Sequence, residues 1–355
     1  MKTYFKGMAH NNSTSLLCNQ TADFNSVFTL KILPLLYFVI FLVGLFLNGG
    51  AACIFFRVPA DSGLVVYLKN MVVADLLMLC TYPFKIVAQL ELGDWYIHVI
   101  VCRYTAVIFY CSMYMGILFM GLISLERYVK IVRTAPSSIT TTSCRTRVAR
   151  IFSLHHLQNP MCARVLAVLS WTLLTVFLMP NSLLTSKEAN KENARKCMDL
   201  KTALGKEWHQ VSSIFSVSMF WVTLVVLAFC YASIAHRIYQ SYRRVRCDNS
   251  DVCRKSNRSI FSILVVFFIC FVPYHVCRIP YTLSQMPKSG FSRYTCFLLL
   301  QVKEGTLFLS ALNVCLDPII YFLMCRTFRE SLLRKVSRRE RRRRSLTTAQ
   351  SLSNI

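Results

Sequence analysis

The stretch VIVCRYTAVIFYCSMYMGILFMGLISLERYVKIV, residues 99–132, decides the fold. Between Arg103 and Glu126 it carries no charged side chain. An apolar run longer than the roughly 20 residues that cross a hydrocarbon core reads as a membrane helix. Six further runs of this kind fall near 30–56, 65–90, 163–185, 209–239, 259–285 and 297–324. The chain has 355 residues, 55% of them hydrophobic and only 16% charged, which is too apolar for an ordinary water-soluble domain. The reading is an all-α membrane protein, a bundle of seven transmembrane helices followed by a short amphipathic eighth helix.

An odd number of spans puts the two ends of the chain on opposite sides of the membrane. Basic residues choose the side: Arg133, Arg145, Arg147 and Arg150 follow the third run, and Arg243, Arg244, Arg246, Arg254, Lys255 and Arg258 lie between the fifth and sixth. More follow the seventh. The alternate loops mix Lys with Glu and Asp, so the positive-inside bias places the N-terminus outside and the C-terminus in the cytoplasm. The predicted organisation is an extracellular segment 1–29, a membrane domain 30–325 with a long second inner loop at about 134–162, and a cytoplasmic eighth helix and basic tail 326–355. The first thirty residues are polar and lack the pattern of a cleaved secretory signal, so the first span is expected to act as its own uncleaved signal. Asn11, Asn12 and Asn19 open glycosylation sequons in the outer segment, two of them overlapping. The formal net charge of +25 lies mainly in loops and tails that face water or lipid headgroups, which argues against nucleic acid as a partner.

Polar residues inside membrane helices are costly and mark sites. Asn48, Asp75, Asn313 and Asp317 form one candidate cluster, either interhelical glue or a water or ion site. The third run ends in Glu126-Arg127-Tyr128, and the seventh contains Asp317-Pro318-Ile319-Ile320-Tyr321 followed by Phe328. With Phe267 and Pro273 in the sixth run, and Asn48, Asp75 and Trp171 in the first, second and fourth, these motifs resemble the landmarks of rhodopsin-like (class A) G-protein-coupled receptors. The resemblance runs from Asn48 to Phe328. It implies that Arg127 pairs with Glu126 at rest, that Pro273 provides a hinge by removing a backbone hydrogen bond, and that Tyr231 and Tyr321 move inward on activation.

Phe271-Val272-Pro273-Tyr274-His275-Val276-Cys277-Arg278 and Lys303-Glu304-Gly305-Thr306-Leu307 narrow the resemblance to the purinergic nucleotide receptors, in the branch of the ADP and UDP-sugar receptors and their orphan relative. His275 and Arg278 share a helix face. Arg278 and Lys303 would face an outer cavity, where they either hold an anionic phosphate chain or close the mouth by pairing with Glu304 or loop carboxylates. Tyr110 and Tyr114 resemble the aromatics that carry a base or sugar in the family. Asn181, Lys201, His209 and Gln285 match polar ligand contacts of relatives, and each also fits a satisfied helix-end group. The resemblance further implies disulfides Cys102–Cys197 and Cys18–Cys296, both on the oxidising side.

The tail, with its run Arg338 to Arg344 and then Ser345, Thr347 and Thr348, suits lipid binding, phosphorylation or retention, and Cys325 is a candidate for S-acylation. Two departures from the family pattern stand out. The segment 136–161 is longer than the family needs, and Gly116 stands where many receptors carry a hydroxyl that helps bind sodium.

A transporter is the rival from another class, but neither a charged pore nor broken helices in corresponding halves are present. An enzyme is excluded by the lack of a nucleophile–base pair or metal-spaced cluster, and no cofactor or metal is expected. The expected function is a plasma-membrane receptor for an extracellular nucleotide or nucleotide sugar that signals through the heterotrimeric G protein Gi. Lysophosphatidic acid or another lysophospholipid is the alternative ligand.

Overall fold

The computed structural model describes residues 26–134, 156–194, 197–244, 261–284, 290–334 and 337, with the side chains of 132–134, 237, 238 and 240–244 not described. Seven helices are long and apolar enough to cross a membrane: α1 (Phe28–Phe55), α2 (Gly63–Gln89), α3 (Trp95–Ile131), α4 (Pro160–Leu183), α5 (Ala203–His236), α6 (Phe261–Ser284) and α7 (Arg293–Met324). Residues 326–334 form a further short helix, α8.

Helix starts follow local chemistry. The Ser62 side chain accepts from the Val65 amide and Ser292 from the Thr295 amide, which satisfies donors left open at an N-terminus. Asn159 caps α4 with Pro160 at its first position, so this helix begins before the apolar run at 163. α5 begins at 203 rather than 209 because its first turn, with Lys206 and Glu207, is helical without being apolar. Thr202 Oγ1 accepts from the Gly205 amide there at 3.0 Å.

α3 is the axis of the bundle: Met113, Tyr114, Met115, Ile117, Phe119, Met120 and Ile123 are all fully buried. By contrast α1, α4 and α5 expose apolar faces, with Phe46, Val168 and Ile214 each more than half exposed. Such faces suit lipid. At two helix contacts glycine leaves room that a larger residue would fill, in line with small-residue packing in membranes. A Cβ on Gly44 of α1 would come within 2.8 Å of Leu79 and 3.0 Å of Val314, and one on Gly121 of α3 within 2.9 Å of Thr223.

α4 is interrupted at Met179, which separates Pro160–Leu178 from Pro180–Leu183, and α6 and α7 are interrupted as well. In α6 the regular pattern breaks at Phe271, two residues before Pro273, whose missing N–H leaves a turn unbonded. In α7 Leu312 separates Arg293–Ala311 from Asn313–Met324. α8 is anchored by Phe328, which stacks on Phe55 with centroids 5.0 Å apart and meets Tyr321 edge-on at 6.3 Å. Cys325 is 3% exposed in the α7–α8 corner, and burial pushes its thiol above the usual range, so it is not presented for acylation in this conformation.

Candidate functional site

The outer half of the bundle gathers aromatic and cationic side chains from α1, α2, α3, α5, α6 and α7. Arg278 on α6 donates from Nη1 to the Tyr114 hydroxyl on α3 at 3.0 Å and from Nη2 to Ser213 Oγ on α5 at 2.8 Å. Its guanidinium lies 5.6 Å from the Tyr110 ring centroid and 5.7 Å from that of Tyr274, within cation–π range of both. Lys303 Nζ is 2.6 Å from Glu304 Oε1 and 5.4 Å from the Tyr281 ring centroid. The same Glu304 carboxylate lies 3.7 Å from Lys85 Nζ on α2, and Lys85 donates to the Tyr37 hydroxyl on α1 at 2.9 Å.

Lys303 therefore makes the pairing with Glu304 that its position in the sequence also allowed, and it does so beside the cavity aromatics. Among the described residues Arg278 has no carboxylate partner. Lys85 was not singled out from the sequence. Its signal was a lysine inside an apolar span that also holds Lys69, a placement that is costly and usually directed into the bundle.

His275 is fully buried. It stacks on Phe220 of α5, with centroids 3.7 Å apart and planes 6° from parallel. It meets the cavity residues through Tyr114, whose hydroxyl is 3.1 Å from Nε2, and through an edge-on contact with Tyr274 at 5.1 Å. Tyr114 is itself fully buried, whereas Tyr110 is partly exposed.

A second wall forms between α4 and α5. Asn181 donates to Ser212 Oγ at 2.9 Å and to the Leu178 carbonyl at 3.3 Å, and its own Oδ1 accepts no bond from another group among the described residues. Lys201, just before α5, donates to Thr185 Oγ1 at 3.0 Å and to the Asn181 carbonyl at 3.5 Å. These partners are neutral, and burial holds the Lys201 ammonium below the usual lysine range. His209 lies in the first turns of α5, where its carbonyl accepts from the Ser212 hydroxyl at 3.1 Å. Gln285 lies outside the described residues.

Cys102 and Cys197 form a disulfide, with Cα atoms 5.1 Å apart across 95 residues. It joins the outer end of α3 to the loop that carries Lys201, and Arg103 reinforces it by donating to the Lys187 carbonyl at 2.7 Å. Cys296 is also disulfide-bonded, while Cys18, its expected partner, lies outside the described residues. The sequons at Asn11, Asn12 and Asn19, the loop residues 135–155 and the tail beyond 337 lie outside them too.

Toward the centre, Tyr321 donates its hydroxyl hydrogen to Asp75 Oδ2, and Asn313 donates to Asp317 Oδ2 at 3.4 Å. Asn48 donates instead to the Val314 carbonyl at 2.6 Å and the Gly44 carbonyl at 3.1 Å, and so ties α1 to α7. The glue role is thus visible for Asn48. Among the described residues Asn48 Oδ1 and Asn313 Oδ1 accept no bond from another protein group, which leaves the cluster polar beyond its own pairings. A Cβ on Gly116 would sit 3.5 Å from Asn313 Nδ2.

At the inner end Arg127 Nε is 3.2 Å from Glu126 Oε2, and neither atom makes an aligned hydrogen bond, so the contact is an ion pair held by charge rather than direction. Tyr128 meets Phe229 edge-on at 5.7 Å, and Tyr231 lies 6.3 Å from Phe261. Phe267 stacks on Phe220 at 5.5 Å and contacts Phe271 at the same distance, just below Pro273. Pro318 lies inside the inner segment of α7 between Asp317 and Tyr321.

Residues 47–321 match the family model of the seven-transmembrane receptors of the rhodopsin family. The chain belongs to that family. Within it, the chain is 44% identical to purinoceptor 14 of Bos taurus, over 88% of this chain and 87% of the relative. It is 41% identical to G-protein coupled receptor 87 of Mus musculus, over 93% and 87%. It is also 36% identical to purinoceptor 13 of Homo sapiens, over 85% and 80%. This rhodopsin-family chain is therefore a G-protein-coupled receptor of the purinoceptor type, a multi-pass plasma-membrane protein and not an enzyme. Its partners are an extracellular ligand and a G protein.

Proposed function

We propose that this receptor binds an extracellular nucleotide or nucleotide sugar through its phosphate groups and signals through Gi. The observation that carries the reading is the charge of the outer cluster. Arg278 lies over Tyr110 and Tyr274, Lys85 over Tyr37 and Lys303 over Tyr281, and among the described residues the one carboxylate paired with any of the three cations is Glu304. Three cations against one carboxylate leave an uncompensated positive excess in a partly dehydrated space. Burying charge there is costly, and a phosphate chain offers the compensating charge and the acceptor oxygens that guanidinium and ammonium groups recognise.

In this reading Arg278 and Lys303 take the phosphates, Tyr110 offers a face to the base or sugar, and Tyr114 and His275 hold Arg278 in place. Asn181, Lys201, His209 and Gln285 form the wall toward α5 and the second outer loop. Arg127, released from Glu126 as α6 swings at Pro273, meets the G protein, with Tyr128, Tyr231, Phe267, Asp317, Pro318 and Tyr321 as moving parts. The purinoceptor names of the relatives agree with a nucleotide-type ligand.

The test is a panel of ADP, UDP, UDP-glucose and lysophosphatidic acid on cells expressing the receptor, read as inhibition of cyclic AMP with and without pertussis toxin. A toxin-sensitive response to a nucleotide or nucleotide sugar is expected. A response to lysophosphatidic acid alone would replace the ligand, and a fully toxin-resistant response would replace the G protein.

A further inference from the structure

We infer that His275 is a positioning residue that fixes the direction of the Arg278 guanidinium through the Tyr114 hydroxyl. The inference deepens the proposed phosphate site and rests on that reading. His275 Nδ1 is 2.8 Å from the Phe271 carbonyl oxygen, which can only accept, so Nδ1 must carry a hydrogen. Nε2 is then the free lone pair of a neutral ring. A second cation buried beside Arg278, with no carboxylate partner for either among the described residues, would be strongly disfavoured.

Nε2 therefore accepts from the Tyr114 hydroxyl 3.1 Å away. With its one hydrogen committed to His275, the Tyr114 oxygen has lone pairs only, and these receive Arg278 Nη1 at 3.0 Å. Arg278 Nη2 meanwhile donates to Ser213. Each hydrogen in the series from the Phe271 carbonyl to the guanidinium thus has one assigned place, set by a backbone acceptor on α6.

Two bonds from separate nitrogens hold the plane of the guanidinium, Tyr274 is a further side-chain partner, and a guanidinium with five N–H donors keeps others to offer a ligand. The lock on His275 is reinforced by its stack on Phe220 at 3.7 Å, which fixes the ring against rotation. Without the Nε2 acceptor, the Tyr114 hydroxyl hydrogen must turn elsewhere. The oxygen lone pairs turn with it, away from Arg278. His275 contributes to affinity without touching the ligand.

Two variants separate the hydrogen bond from the packing. His275→Phe keeps a ring against Phe220 and removes the acceptor. His275→Gln restores an amide oxygen that can accept from Tyr114. At equal surface expression, His275→Phe should weaken the potency of UDP-glucose or ADP, whichever activates the wild type, by about tenfold, the size of one lost hydrogen bond, and His275→Gln should recover part of it. Unchanged potency in His275→Phe would overturn the inference.

A readout that needs no agonist accompanies this. Nitrogen-15 NMR of histidine-labelled, purified receptor should show His275, assigned by its loss in His275→Phe, as the Nδ1–H tautomer. Its Nε2 resonance should shift in Tyr114→Phe. An Nε2–H tautomer, or no shift in Tyr114→Phe, overturns the inference even if neither nucleotide activates the receptor. Failure of the probes with the expected tautomer and shift would overturn only the ligand reading.

Discussion

Lys303 and Glu304, neighbours in sequence, are joined by a 2.6 Å ion pair whose carboxylate also reaches Lys85 of α2 at 3.7 Å. One acidic side chain thus serves two lysines on different helices while Arg278 stands apart with neutral partners. In the free receptor Glu304 competes with any anionic ligand for both ammonium groups. Glu304→Gln should lower the thermal stability of the ligand-free receptor, because two partly buried lysines lose their counter-charge. Binding of an activating nucleotide should then raise the melting temperature more than it does in the wild type. A smaller ligand-induced rise in Glu304→Gln would mean that the carboxylate orients the lysines for the ligand rather than competing with it.

The pair at the inner end gives a second expectation. Glu126 is nearly buried, and its carboxylate lies 3.2 Å from Arg127 Nε. Glu126→Gln removes the attraction while keeping the shape, and the contact is worth on the order of 1 kcal/mol, since it is charge-assisted but not aligned. Basal exchange of GTPγS on a co-expressed G protein should rise several-fold over wild type at equal receptor density. A basal rate equal to that of the wild type would remove this pair from the account of the resting state.

How far the sequence revealed the site differs from residue to residue. The seven spans, the Glu126-Arg127-Tyr128 end of α3 and the cations at 278 and 303 were all readable, because each is a local pattern: an apolar length, a tripeptide, a short motif. What remained hidden depends on how each helix is turned about its axis. Lys85 has no motif around it, and only packing shows that it points at Tyr37 and Glu304. His275 was readable as part of a motif, but its full burial against Phe220 follows from the rotation of α6 against α5. Lys201 was readable as a match to a polar contact of relatives, yet its bonds to Thr185 and Asn181 depend on the path of the loop. The early starts of α4 and α5 were missed because capping and polar first turns leave no trace in an apolar run.

The disulfide at Cys102 supplies a third expectation. It ties the Lys201 loop to α3 across 95 residues. Its loss should free that loop, and removing a native disulfide typically costs about 2–5 kcal/mol where folding depends on it. Replacing Cys102 and Cys197 together by Ser should reduce surface delivery or agonist potency, whereas Cys230→Ala, in the buried face of α5, should change neither by more than about twofold. Surface immunostaining and concentration–response curves check both. A double variant with normal delivery and potency would separate the loop from the ligand site.

The central claim is that Arg278 and Lys303 hold the phosphate. Its most direct test is the potency of the activating nucleotide on Arg278→Ala and Lys303→Ala, with surface expression matched by immunostaining. A charge-assisted hydrogen bond contributes roughly 1.5–3 kcal/mol, so each variant should lose between about tenfold and a hundredfold in potency while reaching the surface normally. Responses from both variants that match the wild type would contradict the account and place the phosphate elsewhere.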